Sequence, residues 1–359
     1  MSARLSSSPA LPGSPAPAPG ARSPYIAGRA FDWAFFLLPP LISLVIGALI
    51  AGTSFADHRF WLAGKRATGA TVLLGVIINA HLVAVVARSH LNPGVFRAHL
   101  PRFVLVPLAL FAAMLVSLWA VVIVAVLVVF WDVYHSALQT FGLARIYDRN
   151  AGNDPEVGRR LDLGLNLLLY AGPIVAGAAM LPHFGKLEIF EDVDATFFTR
   201  IPAFLAGNQR YLTWAILAFG TIYAVFYVVA YARLRARGHR ISFHKVFLLA
   251  TTGLCSIWVW GFNPWGQAFF IMNLFHAVQY LALVGWSENA SLRRRLRLDG
   301  ARLGKPLAIA AFLGCALAYG AWTELVRDDD RVRWSIVQIV ALMHFFYDGF
   351  IWSVRKEQI

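Results

Sequence analysis

The sequence predicts an all-α fold: a polytopic transmembrane helical bundle of about ten spans, with both termini cytoplasmic. Apolar residues make up 58% of the chain and charged residues 14%, against roughly 25% charged in soluble domains, and mean hydropathy is +0.61. Runs of about 20 apolar residues, enough to cross the hydrocarbon core as a helix, recur along its length. Lys and Arg gather in alternate loops, the asymmetry that orients membrane proteins.

Residues 1–24 hold six prolines among Ser, Ala and Gly. Such a segment buries too little apolar surface to fold and is expected to be disordered, and it lacks the apolar run of a signal peptide. Residues 25–359 read as a single transmembrane domain, with spans near 31–52, 68–87, 103–118, 119–144, 161–182, 212–232, 243–262, 264–286, 306–323 and 334–354. The stretch from Phe103 to Ala144 is too long for one span and must turn near Ser117–Trp119.

Ten spans put most of the basic residues on the N-terminal side: Arg88, Arg97 and Arg102; Arg145, Arg149, Arg159 and Arg160; Arg233 to Lys245; Arg293 to Lys305; and Arg355 with Lys356. The opposite loops are short or acidic, as in KLEIFEDVDATFF and ELVRDDDRVR, and only Arg59, Lys65 and Arg66 run against the rule. The formal charge of +13 is thereby assigned to arginines that meet anionic lipid headgroups. No nucleic-acid partner is expected, and the predicted location is the bacterial inner (cytoplasmic) membrane. Cys255 and Cys315 both fall within spans and read as packing residues rather than a disulfide.

Four histidines lie inside apolar spans, where an ionisable side chain marks a functional site by default. His81 is seven residues before Arg88, His135 ten before Arg145, His276 twelve before Glu288 and His344 eleven before Arg355. At 1.5 Å per residue they sit roughly 10–18 Å from the cytoplasmic ends. All four occupy even-numbered spans, which run in one direction, so the imidazoles share a layer. Neutral imidazole is the commonest protein metal ligand, and bundle cores are where such sites are built. His81, His135, His276 and His344 are therefore the expected metal ligands, with no catalytic side chain beyond them. Should only three converge, His81 is the one to drop, being shallowest and without a carboxylate one turn away.

Asp132 and Asp348, one turn from His135 and His344, are expected to orient imidazoles from the second nitrogen. Asn273 and Gln279 flank His276 at three residues each way, and Gln139 lies four after His135. Tyr134, Tyr280 and Tyr347 are weaker candidates for a substrate-lining role. His90, His99, His239 and His244 read as interfacial, although His90 is near enough to approach the layer from below, and His58 and His183 as external. The charged helix end LARIYDR from Leu143 to Arg149 reads as a snorkelling interfacial cap, with a grip on a lipid headgroup as the alternative. No G-x-S-x-G, H-E-x-x-H, Walker-type loop or G-x-G-x-x-G competes, and the Gly-rich spans indicate close helix packing.

A histidine layer within a bilayer suits oxidative chemistry on a hydrophobic substrate. The HxxxH and HH clusters of membrane desaturases are absent. In its isolated intramembrane histidines, and in the segments NLFHAVQYLALV and ALMHFFYDGF, the chain resembles the Brp/Blh-type integral-membrane carotenoid-cleaving oxygenases. That resemblance implies non-heme iron, O₂ and oxidation of a carotenoid or related isoprenoid; the histidine layer by itself leaves any membrane lipid open as the substrate. Two other classes stay open: a proton-coupled membrane transporter using the histidines and aspartates as a relay, and a b-type haem protein with paired axial histidines.

Overall fold

The computed structural model describes residues 23–177, 179, 203–263, 267–326 and 331–352. Most of the 1–24 tail lies outside them, as does His183. The chain enters through α1 (Arg29–Asp32), a π-helical turn (Trp33–Leu37) and α2 (Pro39–Ile50), which bend by 50° where Pro39 and Pro40 open the second helix. Proline is tolerated there because first-turn N–H groups have no intrahelical partner. After α3 (Ser54–Asp57), strands β1 (Phe60–Leu62) and β2 (Lys65–Ala67) pair Trp61 opposite Arg66. Ala63 and Gly64 turn this hairpin with φ of 51° and 86°, the left-handed pair that suits a two-residue loop.

The long helices follow. Helix α4 (Gly69–Ser89) begins at a Thr68–Thr71 capping box, which satisfies two otherwise orphaned N–H groups. Asn92 caps α5 (Pro93–Ala98), α6 spans Leu100–Val116, and Ser117 caps α7 (Leu118–Asn150). Then come α8 (Arg159–Tyr170), α9 (Gly172–Ala176), α10 (Gln209–Ala236), α11 (Phe243–Gly261), α12 (Ala268–Ser287), α13 (Asn289–Arg295), α14 (Gly304–Leu325) and α15 (Arg331–Ile351).

Among the described residues seven helices are long and apolar enough to cross a membrane, or eight if α1–α2 forms one bent span. The expected turn near Ser117–Trp119 is present. The expected spans at 103–118 and 161–182 are not continuous long helices. The first is the 17-residue α6 with Pro107 inside it. The second is broken at Ala171–Pro173 into helices of 12 and 5 residues, as a proline that removes a helix hydrogen bond would do.

The four histidine-bearing helices, α4, α7, α12 and α15, run in the same direction, and side chains at their C-terminal ends meet. Arg88 near the end of α4 donates to Glu288 at the C-cap of α12 (2.7 Å) and to the Ile351 carbonyl ending α15 (3.1 and 3.2 Å). Leu143 and Tyr147 of α7 share an apolar cluster with Leu283, Trp286 and Trp352. Helix α14 packs closely on α4, and its buried residues Gly304, Ala308, Phe312, Ala316 and Gly320 are spaced by four. Gly320 lets the two backbones approach: a Cβ there would strike the Val76 carbonyl oxygen. Helix α10 is the opposite case, burying only Tyr231 and leaving an apolar surface suited to lipid.

Candidate metal centre

The four helices bring His81, His135, His276 and His344 together. All are buried, at 1%, 6%, 1% and 0% exposure. The rings form a closed quartet in which each packs edge-on against the next: His81–His276 at 4.9 Å between centroids, His276–His135 at 5.3 Å, His135–His344 at 4.6 Å and His344–His81 at 5.0 Å. Ligand atoms of His81, His276 and His344 lie within 4.8 Å of one another, and so do those of His135, His344 and Asp348. His344 belongs to both sets.

Hydrogen bonding settles one tautomer. His344 Nδ1 is 3.1 Å from the Leu82 carbonyl. A carbonyl only accepts, so Nδ1 carries the hydrogen and Nε2 keeps its lone pair. That Nε2 faces His135 Nε2 at 3.0 Å. Atoms bound to one ion at about 2.1 Å stand roughly 3.0–3.4 Å apart at octahedral or tetrahedral angles, so this pair already has metal-ligand spacing. Both ring nitrogens of His81, and Nε2 of His276, are buried with no hydrogen-bond partner among the described residues. The Ile78 carbonyl one turn back approaches the His81 ring without meeting hydrogen-bond geometry. Leaving a buried polar atom unsatisfied costs about 1–3 kcal/mol, and a cation at the centre of the quartet would satisfy His276 Nε2 and the one His81 nitrogen that carries a lone pair. The donor set thus fits a metal ion. His81, ranked last in the sequence, belongs to a three-imidazole set.

Asp348 is arranged differently from expectation. Its Oδ1 accepts from Tyr280 Oη (2.8 Å) and Trp352 Nε1 (2.9 Å), while Oδ2 lies 3.8 Å from both His135 Nε2 and His344 Nε2. It therefore faces the metal-side nitrogens as a ligand would, and the Leu82 carbonyl does the orienting of His344. Tyr280 lies against His344 with centroids 4.5 Å apart and belongs to the centre. Trp352 joins it from the α15 end, stacked under Arg88 at 3.9 Å. Sequence reasoning missed Trp352, whose only signal is its place one turn after Asp348.

Other expected residues do not reach the imidazoles. Asp132 makes no hydrogen bond or ion pair among the described residues, and its electrostatic neighbour is Tyr170. Gln139 donates to the His276 carbonyl (3.0 Å) and to Gln279 Oε1 (3.2 Å), and Gln279 donates to the Phe36 carbonyl (2.8 Å). The two glutamines thus tie backbones of α7, α12 and the π turn instead of orienting rings. Asn273 bonds its own helix at Phe269. Tyr134 is 45% exposed, and Tyr347 packs on Phe103 and His90. His90 itself bonds Ser89 and the Phe103 carbonyl; burial lowers its pKa, and it does not approach the quartet.

The LARIYDR segment is neither a snorkelling cap nor a lipid grip. Arg145 and Asp148 are buried, in a cluster with Asp162 and Lys245: Arg145 reaches Asp148 (2.8 Å) and Asp162, and Lys245 reaches Asp148 (2.9 Å) and Asp162 (3.3 Å). Two cations and two carboxylates balance there, the condition under which buried charge is tolerated. His239 lies beside Asp148 (3.6 Å), His244 stacks on Tyr147, and His99 packs on Phe350. Cys255 is buried beside the Pro40 carbonyl and Cys315 is exposed, neither in a disulfide. No family model, curated protein or solved structure matches this chain.

Proposed function

We propose that this chain is an integral-membrane, metal-dependent oxidoreductase, with non-heme iron as the metal and a hydrophobic lipid, isoprenoid or carotenoid as the substrate. The observation that carries the reading is the convergence of four buried imidazoles and one carboxylate, from four helices running in one direction, into two ligand sets that share His344 inside an apolar bundle. The His135–His344–Asp348 set is the two-histidine, one-carboxylate arrangement typical of O₂-using non-heme iron. His81 and His276 add two further nitrogens. When bound, such an iron would supply activation of O₂ for oxidation of a hydrocarbon.

The chain's own groups have definite parts. Leu82 holds the His344 ring, Gln139 braces the turn carrying His276, and Tyr280 with Trp352 holds the Asp348 carboxylate toward the nitrogens. The surrounding apolar helices exclude water. The quartet favours an ion over a haem, because axial imidazoles must face each other across a macrocycle and here each ring touches its neighbours. The kinship suggested by the Brp/Blh-type segments is part of this proposal, as are ten spans, cytoplasmic termini and a bacterial inner membrane. The basic loops on the side where α4, α12 and α15 end support that orientation.

Metal analysis with an absorption spectrum of the purified chain tests the reading. About one iron per chain without a Soret band is expected. A Soret band would make it a haem protein, and absence of metal after purification without chelators would favour a transporter.

A further inference from the structure

A surface cavity lies apart from the histidine quartet, lined by none of its residues. It is a groove of about 620 Å³ between the start of α8 and the last turns of α10, within the size range of small-ligand pockets. Arg159 and Arg160 stand on one wall, Arg233 and Arg237 on the other. Between them lie Phe226, Ala230 and Leu234. The single acid on the lining, Glu156, leaves the groove strongly basic.

The walls are rigidly joined. Tyr223, Tyr227 and Tyr231, spaced by four on α10, donate to the Leu161 carbonyl (3.0 Å) and to Asp162 Oδ1 (2.9 and 2.6 Å). Gly158, left-handed at φ 72°, sits where any Cβ would strike the Tyr231 hydroxyl. One stripe of α10 is thus bonded to α8, and the adjacent stripe faces the groove. Below the arginines α10 continues as bare apolar helix, with Phe219, Ile222 and Val225 each at least 61% exposed. A cationic head region therefore opens directly onto a lipid-facing surface.

We propose that this groove binds an anionic phospholipid, its phosphate held by the Arg159/Arg160 and Arg233/Arg237 walls and its acyl chains laid along α10. Guanidinium recognises phosphate in a two-pronged geometry, and basic pockets between spans on the cytoplasmic side suit such headgroups. Apolar continuity selects a lipid over free phosphate.

The test is native mass spectrometry of the full chain in detergent, titrated with phosphatidylglycerol or phosphatidylcholine of identical acyl composition. The wild type should retain phosphatidylglycerol preferentially, and Arg233→Gln/Arg237→Gln should weaken that retention by about tenfold or more. Arg233→Lys/Arg237→Lys should restore part of it. The exposed pair Arg294→Gln/Arg297→Gln, elsewhere on the basic face, should change nothing. Equal loss in that control would mean a generic basic belt and overturn the proposal, as would unchanged retention in the groove variant. Displacement of the lipid by millimolar inorganic phosphate would make the groove a phosphate site instead.

Discussion

Asp348→Asn separates a ligand from a scaffold residue. In the native site Oδ1 accepts from Tyr280 (2.8 Å) and Trp352 (2.9 Å), and Oδ2 stands 3.8 Å from two histidine nitrogens. Asparagine of the same shape keeps an oxygen for Tyr280 and Trp352, so both hydrogen bonds survive as neutral ones. The weakening, together about 1 kcal/mol or somewhat more, is offset by no longer burying a carboxylate. The amide places a donor where the anion stood, directed at atoms that must present lone pairs to a cation. Metal affinity should fall by at least about 10–100-fold, the loss typical even of groups one step removed from the metal, while thermal stability of the metal-free protein stays near wild type. Iron per chain after dialysis against a competing chelator measures the first, and a melting curve in detergent the second. His344→Ala, which removes the ligand shared by both sets, should abolish binding. If Asp348→Asn and His344→Ala both keep wild-type metal content and only melt earlier, the cluster is structural and the oxidoreductase reading falls with it.

Three further outcomes follow from the fold. Asp162→Asn leaves Arg145 and Lys245 with one carboxylate between them and weakens the Tyr227 and Tyr231 bonds; unfolding should become easier by about 3–5 kcal/mol, and a change below about 1 kcal/mol would show the cluster to be dispensable. Gly320→Leu drives a side chain into the Val76 carbonyl and should cost about 1–3 kcal/mol or more, read as loss of folded yield or an earlier melt. In a background lacking Cys255 and Cys315, a cysteine at Asp299 should label only from the cytoplasmic face and one at His58 only from outside; the reverse pattern inverts the orientation.

The parts of the fold that periodic, one-dimensional signals control were legible. Long apolar runs became α4, α7, α10, α11, α12, α14 and α15, and the break at Ser117 fell where a 40-residue stretch had to turn. Hydropathy cannot distinguish a continuous span from two short apolar helices. Residues 161–182 are largely apolar, yet Gly172–Pro173 interrupts the hydrogen-bond ladder, and the span count drifts accordingly. Charge was misread for the same reason. Arg145 and Asp148 look like an interfacial cap when read locally. Their partners Asp162 and Lys245 come 17 and about 100 residues later in the chain, and only tertiary packing converts the segment into a buried, charge-balanced joint.

At the candidate centre, depth along a helix was legible and azimuth was not. Counting residues from each helix end placed His81, His135, His276 and His344 in one layer because the four helices share a direction, and translation along a helix is fixed by 1.5 Å per residue. Which neighbour turns inward with each histidine depends on helix rotation. Asp348, four after His344, shares its face and approaches the nitrogens; Tyr280, four after His276, turns the same way and meets Asp348 and the His344 ring. Asp132, three before His135, is rotated toward Tyr170. The carboxylate rule also assumed that a ring must be held by a side chain. For His344 the backbone carbonyl of Leu82 on α4 does it, and a carbonyl leaves no trace in residue identity. The same holds for His81: its helix contributes both a candidate ligand and the group that orients another candidate, and neither property is written in a neighbouring carboxylate.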